Sequence, residues 1–360
     1  LKLYHLFMIL VTIVFMILSC ETNSSSIADN SPLKIKVVTI VTYQDIDAID
    51  QPNTGEAYWW YTAGGLNNEI PLPGGYAPVF TNANRDHLLI ITGSGKSNAA
   101  SSIMALGLSR QFDLTESYFM VAAISGGRPE VTTIGSAVWA RWVVDAGLAS
   151  EIDPRELPQN LEFPFFRLGC TIPQFCMDAF NTGSEIFELN NDLRLWARNL
   201  SSEVALADSE AVQEIRDNYP EPAARQKASV QLGDEAATDN FLHGEILSGY
   251  MTWWIENYTE NEGVYYTSSF EDTAISTALT RLDEAGLVDF SRFMVLRSPS
   301  NFDQQYPGQT ALESLEAAVG GGMPDGSILA FENAYLAGSA VANHIITNWE
   351  DWKDGVPPLE

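Results

Sequence analysis

The chain has 360 residues, of which 46% are apolar, and its 9 Trp and 17 Phe supply enough large side chains for one extensive core. The formal net charge is −28, spread along the whole length rather than held in one tail. Such a surface excludes nucleic-acid binding, which needs a basic face for phosphates, and disfavours polyanionic substrates.

Residues 1–19 read as an export signal. Lys2 precedes the apolar run Leu6–Leu18, and Ser19-Cys20 follows it. That run is shorter than the roughly 20 residues of a spanning helix. A cysteine directly after a small residue is the pattern of a bacterial lipoprotein signal, which makes Cys20 the candidate lipidation site. Residues 20–32, rich in Ser and Asn, then serve as a tether. The expectation is an exported protein, lipid-anchored on the periplasmic side of a bacterial cell envelope and touching the membrane only through that anchor. Residues 33–360 are expected to form a single domain. Cys170 and Cys176 lie six apart and are either a disulfide or two buried thiols.

In chain order, Lys34–Val41 is a β-branched run that predicts a buried strand. Gly55–Phe80, rich in Gly, Pro and aromatics, predicts a structured loop or cap. Leu88–Thr92 predicts a strand, Ser97–Leu108 a helix, Tyr118–Ile124 a strand and Ser136–Val144 another. Residues 150–228 are polar and Pro-punctuated and read as a helical insertion, with a helix over Ser184–Ala207. Ser229–Leu232, Val264–Thr267 and Phe293–Leu296 predict strands. Glu271–Ala285, Leu312–Val319 and Asn333–Trp352 predict helices. Strands alternating with helices argue an α/β three-layer sandwich with a mixed central sheet.

Polar clusters follow the strand ends, where ligands of such sheets bind. Gly93-Ser94-Gly95 joins a strand to a helix and offers backbone amides at a helix N-terminus. It is not a nucleotide P-loop, because Ile90 stands where that motif needs a glycine. Ser125-Gly126-Gly127 permits close backbone approach to a ring or sugar. Residues 233–244 offer Asp234, Asp239, Asn240 and His243 around Phe241, a candidate for base stacking. Glu271 and Asp272 open a helix, and residues 297–303 bring Asn301 and Asp303 after a buried strand.

Six stretches carry a resemblance: TGSGKSNAASSIMALGLSRQFDLTESYF, GSAVWARWVVDAGLASEIDPRELP, DNFLHG, FEDTAISTAL, GLVDFSRFMVLRSPSNFD and AYLAGSAVANHIITNWEDWKDGVP. Through them the chain resembles the purine nucleoside permease family, itself similar to the nucleoside phosphorylase and nucleosidase superfamily. The resemblance implies a nucleoside phosphorylase-like fold and a purine nucleoside ligand. It implies that Glu271, in the place of a Met-Glu glutamate, holds the ribose 2′- and 3′-hydroxyls. It places Asn301 where many members have a purine-contacting aspartate, with Asp303 able to share that role. An amide at this place still hydrogen-bonds a 6-oxopurine but cannot be a general acid, which tilts preference toward inosine or guanosine.

The resemblance further implies a water-activating carboxylate after the first strand, for which Asp45 and Asp47 are the candidates. No resident cofactor is expected, and inorganic phosphate is the conceivable co-substrate. The superfamily's phosphate arginine has no counterpart in the apolar Val121–Ile124, leaving Lys96, Arg128 and Arg141 as substitutes. A homo-oligomer is expected. Two functions compete: an enzyme cleaving the N-glycosidic bond, by hydrolysis or phosphorolysis, in support of nucleoside uptake, and a non-catalytic nucleoside receptor serving a separate transporter.

Overall fold

Val37–Val41 (β1) is an uninterrupted β-branched run without a turn former, and it lies fully buried within a twelve-stranded mixed sheet. The computed structural model describes residues 31–358 apart from 160, 162, 172–175, 177–180 and 321. Cys20 and the signal segment lie outside the described residues. Residues 33–360 pack as one unit.

The remaining strands of the sheet are Asn68–Ile70 (β2), Val79–Thr81 (β3), His87–Ile91 (β4), Tyr118–Gly127 (β5), Ala137–Trp139 (β6), Trp142–Asp145 (β7), Ile186–Glu188 (β8), Val230–Leu232 (β9), Asp234–Ala237 (β10), Tyr265–Ser269 (β11) and Phe293–Phe302 (β12). Their order is β8-β7-β10-β11-β5-β1-β4-β3-β2, with β12 against β5 and β6, and β9 against β6. β5 is the hinge of this arrangement. Its first half pairs with β1 in parallel, and β12 runs parallel along its whole length. At its far end, Gly126 and Gly127 pair with the antiparallel β11. A Cβ on Gly126 would meet Ser268 Oγ at 2.7 Å, and one on Gly127 would meet Pro299 Cβ at 2.6 Å. The glycine pair thus lets β11 and β12 close on β5.

Alternating side chains of the sheet face two apolar layers. Val38, Ile40, Leu88, Ile90, Phe119 and Val121 point to one side, against helices Lys96–Gly107 (α2) and Asp272–Glu284 (α6). Val37, Val41, Leu89, Ile91, Met120 and Ala122 point to the other, against the long helix Asp325–Thr347 (α8). These are the three layers that the strand and helix alternation predicts.

Several local readings change. Gly55–Phe80 is not loop throughout: Ala57–Thr62 (α1) is a helix whose Trp60 is buried in the core. The expected strand Ser136–Val144 is two, β6 and β7, broken at Ala140-Arg141, because Asp234 Oδ1 accepts the backbone N–H groups of Arg141 and Trp142. Among the described residues of 150–228 are the α-helices Asn191–Ser201 (α3) and Glu210–Arg216 (α4), and also β8, an edge strand of the central sheet. α3 starts late because the Asn190 side chain caps it through the N–H groups of Asp192 and Leu193. Glu245–Tyr258 (α5) is a further helix, beyond those the sequence predicts, and buries Tyr250, Met251, Trp254 and Ile255 on one face. Ala311–Val319 (α7) starts with a capping box between Thr310 and Glu313. Cys170 and Cys176 are joined as a disulfide.

Candidate active site

The ends of β1, β5, β10, β11 and β12 and the loop after β4 converge on one cleft. Its walls include Thr42, Glu56, Ser94, Ile124, Ser125, Gly126, Asn240, Phe241, Ser268, Glu271, Arg297, Ser300 and Asn301, and its free space, mouth included, is about 670 Å³. That is the size range of small-molecule sites.

The buried Arg297 organises the floor. Its Nε donates to Asp272 Oδ2 at 3.0 Å, Nη2 to Glu271 Oε2 at 3.1 Å and Nη1 to the Ile124 carbonyl at 2.7 Å. Nη2 also pairs with Asp272 Oδ1. Glu271 closes a second link, since its Oε1 accepts the Gly95 N–H at 2.9 Å. The helix-opening loop 93–95 is thereby tied to the start of α6.

Glu56 is the second fixed carboxylate. Its Oε2 accepts the N–H groups of Thr42 at 2.5 Å and Tyr43 at 2.9 Å, and its Oε1 accepts the Ile124 N–H at 2.8 Å. Ile124 therefore holds Glu56 with its N–H and Arg297 with its C=O. Glu56 reaches this place because the chain leaves β1, turns at residues 46–48 and returns to bridge Gln44 with Gly55. A Cβ on Gly55 would stand 2.6 Å from Gln44 Cα, so only glycine allows that return.

Four carboxyl groups, Glu56, Glu235, Glu271 and Asp272, surround the single guanidinium. One positive charge cannot compensate four negative ones in a dry interior. Burial raises the pKa of Glu56, opposed by Arg297 and by its backbone donors. Burial likewise raises Glu271, again opposed by Arg297. Glu235, bonded to Thr267, is pushed up to about 8 by burial and by the neighbouring Asp272. Burial thus favours a proton on Glu235, beneath the cleft, at neutral pH.

Of the residues singled out in the sequence, Ser94, Ser125, Gly126, Asn240, Phe241, Glu271 and Asn301 line the cleft. Gly95 is the donor to Glu271, Asp272 stands behind it on Arg297, and Gly93 packs against the Tyr76 ring. Gly127 lies beneath Pro299 and serves strand packing instead of the ligand. Asp303 is buried outside the cleft, accepting from Tyr265 Oη at 2.7 Å, and burial pushes its pKa up to about 7. His243 stacks beside Phe241 without lining the cleft, and burial lowers its pKa.

Asp234 is structural, since its carboxylate also accepts the Val264 N–H. Asp45 and Asp47 are exposed and line no part of the cleft: Asp45 caps the 46–48 turn through the Asp47 N–H. The carboxylate beside the end of the first strand is Glu56, fourteen residues beyond Thr42. One signal for it existed, an acidic residue directly before the apolar run Ala57–Tyr61. Arg297 was visible only as part of its motif. The cations considered for phosphate are engaged by carboxylates: Lys96 by Asp145 and Asp239, Arg128 by Glu130, Arg141 by Glu188 and Glu262.

The mixed sheet between two helical layers, with its cleft at the strand ends, is the nucleoside phosphorylase and nucleosidase fold. A methylthioadenosine/S-adenosylhomocysteine nucleosidase of Helicobacter pylori superposes with a TM-score of 0.50, at 14% identity, over 86% of this chain and 99% of that one. The futalosine hydrolase of Helicobacter pylori strain 26695 does so with a TM-score of 0.50, at 12% identity, over 86% of this chain and 98% of that one. The sequence profile described as purine nucleoside permease (NUP) matches residues 34–357. A probable purine nucleoside permease of Schizosaccharomyces pombe is 35% identical over 77% of this chain and 80% of its own length. A purine nucleoside permease of Candida albicans is 33% identical over 81% of this chain and 72% of its own length.

The chain belongs to the purine nucleoside permease family. These relatives correct one expectation from the sequence. They are fungal proteins, from eukaryotes without a periplasm, so the placement on a bacterial cell envelope through a lipid at Cys20 does not hold.

Proposed function

We propose that the cleft binds a purine nucleoside and hydrolyses its N-glycosidic bond. The observation that carries this reading is the Glu56 carboxylate, held by three backbone N–H groups in the wall that Glu271 and Arg297 also line. Each Glu271 oxygen keeps a free lone pair beside its present bond, enough to accept the ribose 2′- and 3′-hydroxyls. Phe241, 42% exposed at the rim, offers its ring to the base. Asn301 meets the N7 and C6 edge of the purine. Glu56 takes a proton from water as the oxygen bonds to C1′, the C1′–N9 electron pair leaves with the base, and solvent protonates the base.

Hydrolysis is favoured over phosphorolysis because the cations near the cleft are already paired with carboxylates. The second reading is a nucleoside receptor for a separate transporter. It is supported by Asn301, an amide that cannot protonate a leaving base, and by the permease name of the relatives.

The test is incubation of the full chain with inosine, guanosine and adenosine, with and without phosphate, followed by chromatography for free base. Base released at the same rate without phosphate supports hydrolysis. Phosphate-dependent release overturns it in favour of phosphorolysis. Saturable binding with no release over hours overturns it in favour of the receptor.

A further inference from the structure

A second cavity opens on the far side of Asn301. Ser300 and Asn301 line both cavities, and Tyr219, Phe302, Tyr306, Ile134, Ala318 and Gln309 are among the other walls of the second. Its free space, mouth included, is about 730 Å³. Three aromatic rings are among its walls: Tyr219 lies with its centroid 4.2 Å from that of Phe302 and 5.6 Å from that of Tyr306. The Tyr219 hydroxyl donates to the Gln304 carbonyl at 2.7 Å.

In the partition between the cavities, Ser300 Oγ is tied across to the Ser125 carbonyl at 3.1 Å, whereas the Asn301 side chain bonds to its own neighbours. Asn301 Oδ1 accepts from Ser300 Oγ at 3.0 Å, and Nδ2 donates to the Phe302 carbonyl at 2.8 Å. Rotating that amide toward a ligand breaks no bond to another element of the fold.

We propose that the two cavities form one extended site, and that its ligands include purine nucleosides with an apolar or aromatic substituent on the C6 nitrogen. The purine and sugar occupy the first cavity, and the substituent passes Asn301 into the second. This rests on the nucleoside reading of the first cavity. A purine whose N7 and C6 edge meets Asn301 projects its C6 substituent toward the residues that the two cavities share. The rings of Tyr219, Phe302 and Tyr306 supply apolar surface for it.

The test compares binding of adenosine and N6-benzyladenosine to the full chain by calorimetry. Burying the phenyl ring is expected to tighten binding about tenfold or more over adenosine. Ala318→Trp, which fills the second cavity from α7, is expected to abolish that gain while leaving adenosine affinity unchanged, which also shows that the variant is folded. Tyr306→Ala is expected to reduce the gain. If adenosine binds and the benzyl derivative binds no tighter, or if the gain survives Ala318→Trp, the extended site is overturned and the nucleoside reading stands. If neither nucleoside binds but inosine does, the extended site is overturned and the nucleoside reading stands; if inosine fails as well, both are overturned.

Discussion

Glu56→Gln separates the chemistry of the cleft from its architecture. The two side chains have the same shape, but glutamine presents one acceptor oxygen where Glu56 presents two. With the amide oxygen between the Thr42 and Tyr43 N–H groups, its NH2 faces the Ile124 N–H, now accepted at 2.8 Å. One charge-assisted bond is lost and a buried donor is left without an acceptor, at a cost of about 1–3 kcal/mol. Removing a buried charge offsets part of this. The melting temperature should therefore fall by only a few degrees, and the protein should remain folded.

Turnover should fall much further, by about 10²–10⁴-fold, the usual contribution of a general base. KM for inosine should change little, because Glu271, Phe241 and Asn301 are untouched. Base release by chromatography and a thermal melt on the same preparation measure both effects. Glu56 must be ionised to act, and burial raises its pKa. The native rate should accordingly decline on acidification at a pH above the ordinary carboxylate range. A variant that retains turnover within about threefold of the native rate would refute the role of Glu56 as the base.

Glu271→Ala removes two acceptors for ribose, and inosine binding should weaken about a hundredfold. The loss should be far smaller for 2′,3′-dideoxyinosine, and an equal loss for both ligands in calorimetry argues against the ribose contact. Asn301→Asp introduces a group able to protonate a leaving base. The ratio of kcat/KM for adenosine to that for inosine should rise, and an unchanged ratio speaks against Asn301 at the base edge. Glu235 and Asp303 have folded pKa values of about 8 and about 7, above their unfolded values of 4.5 and 3.8. The stability they contribute is complete below those unfolded values and is lost as pH rises through about 7 and about 8. The melting temperature should therefore drop between pH 6 and pH 9, and Glu235→Gln should flatten that slope. A native melting temperature that rises over this range contradicts the assignment.

The layers of the fold were legible because they rest on local pattern. Val37–Val41 and Leu88–Ile91 are apolar runs that suit only a buried strand, and Ala274, Ala278 and Leu282 recur at helical spacing on α6. α5 carries equally clear periodicity in Tyr250, Met251, Trp254 and Ile255, directly after the polar cluster of residues 233–244. The break between β6 and β7 was not legible, because the Asp234 carboxylate that sets it lies over ninety residues away. Within the cleft, Glu271, Asn301, Phe241 and Ser125-Gly126 were readable as polar or glycine clusters at strand ends. Asp234 and Asp303 carried the same polar signature, yet one ties a backbone turn and the other pairs with Tyr265 outside the cleft. Sequence shows that a carboxylate follows a strand, not which way it points.

By itself the sequence determined the family, the α/β layering and the carboxylate at Glu271, since each is written in contiguous residues. The tertiary structure alone decided that Glu56, and not Asp45 or Asp47, faces the cleft. It also decided that Arg297 gathers Glu271 and Asp272, and that a second cavity adjoins Asn301. The reason is physical. A strand or helix is selected by the side chains of its own segment, whereas the environment of a charge is set by whichever distant backbone groups the packed chain brings beside it.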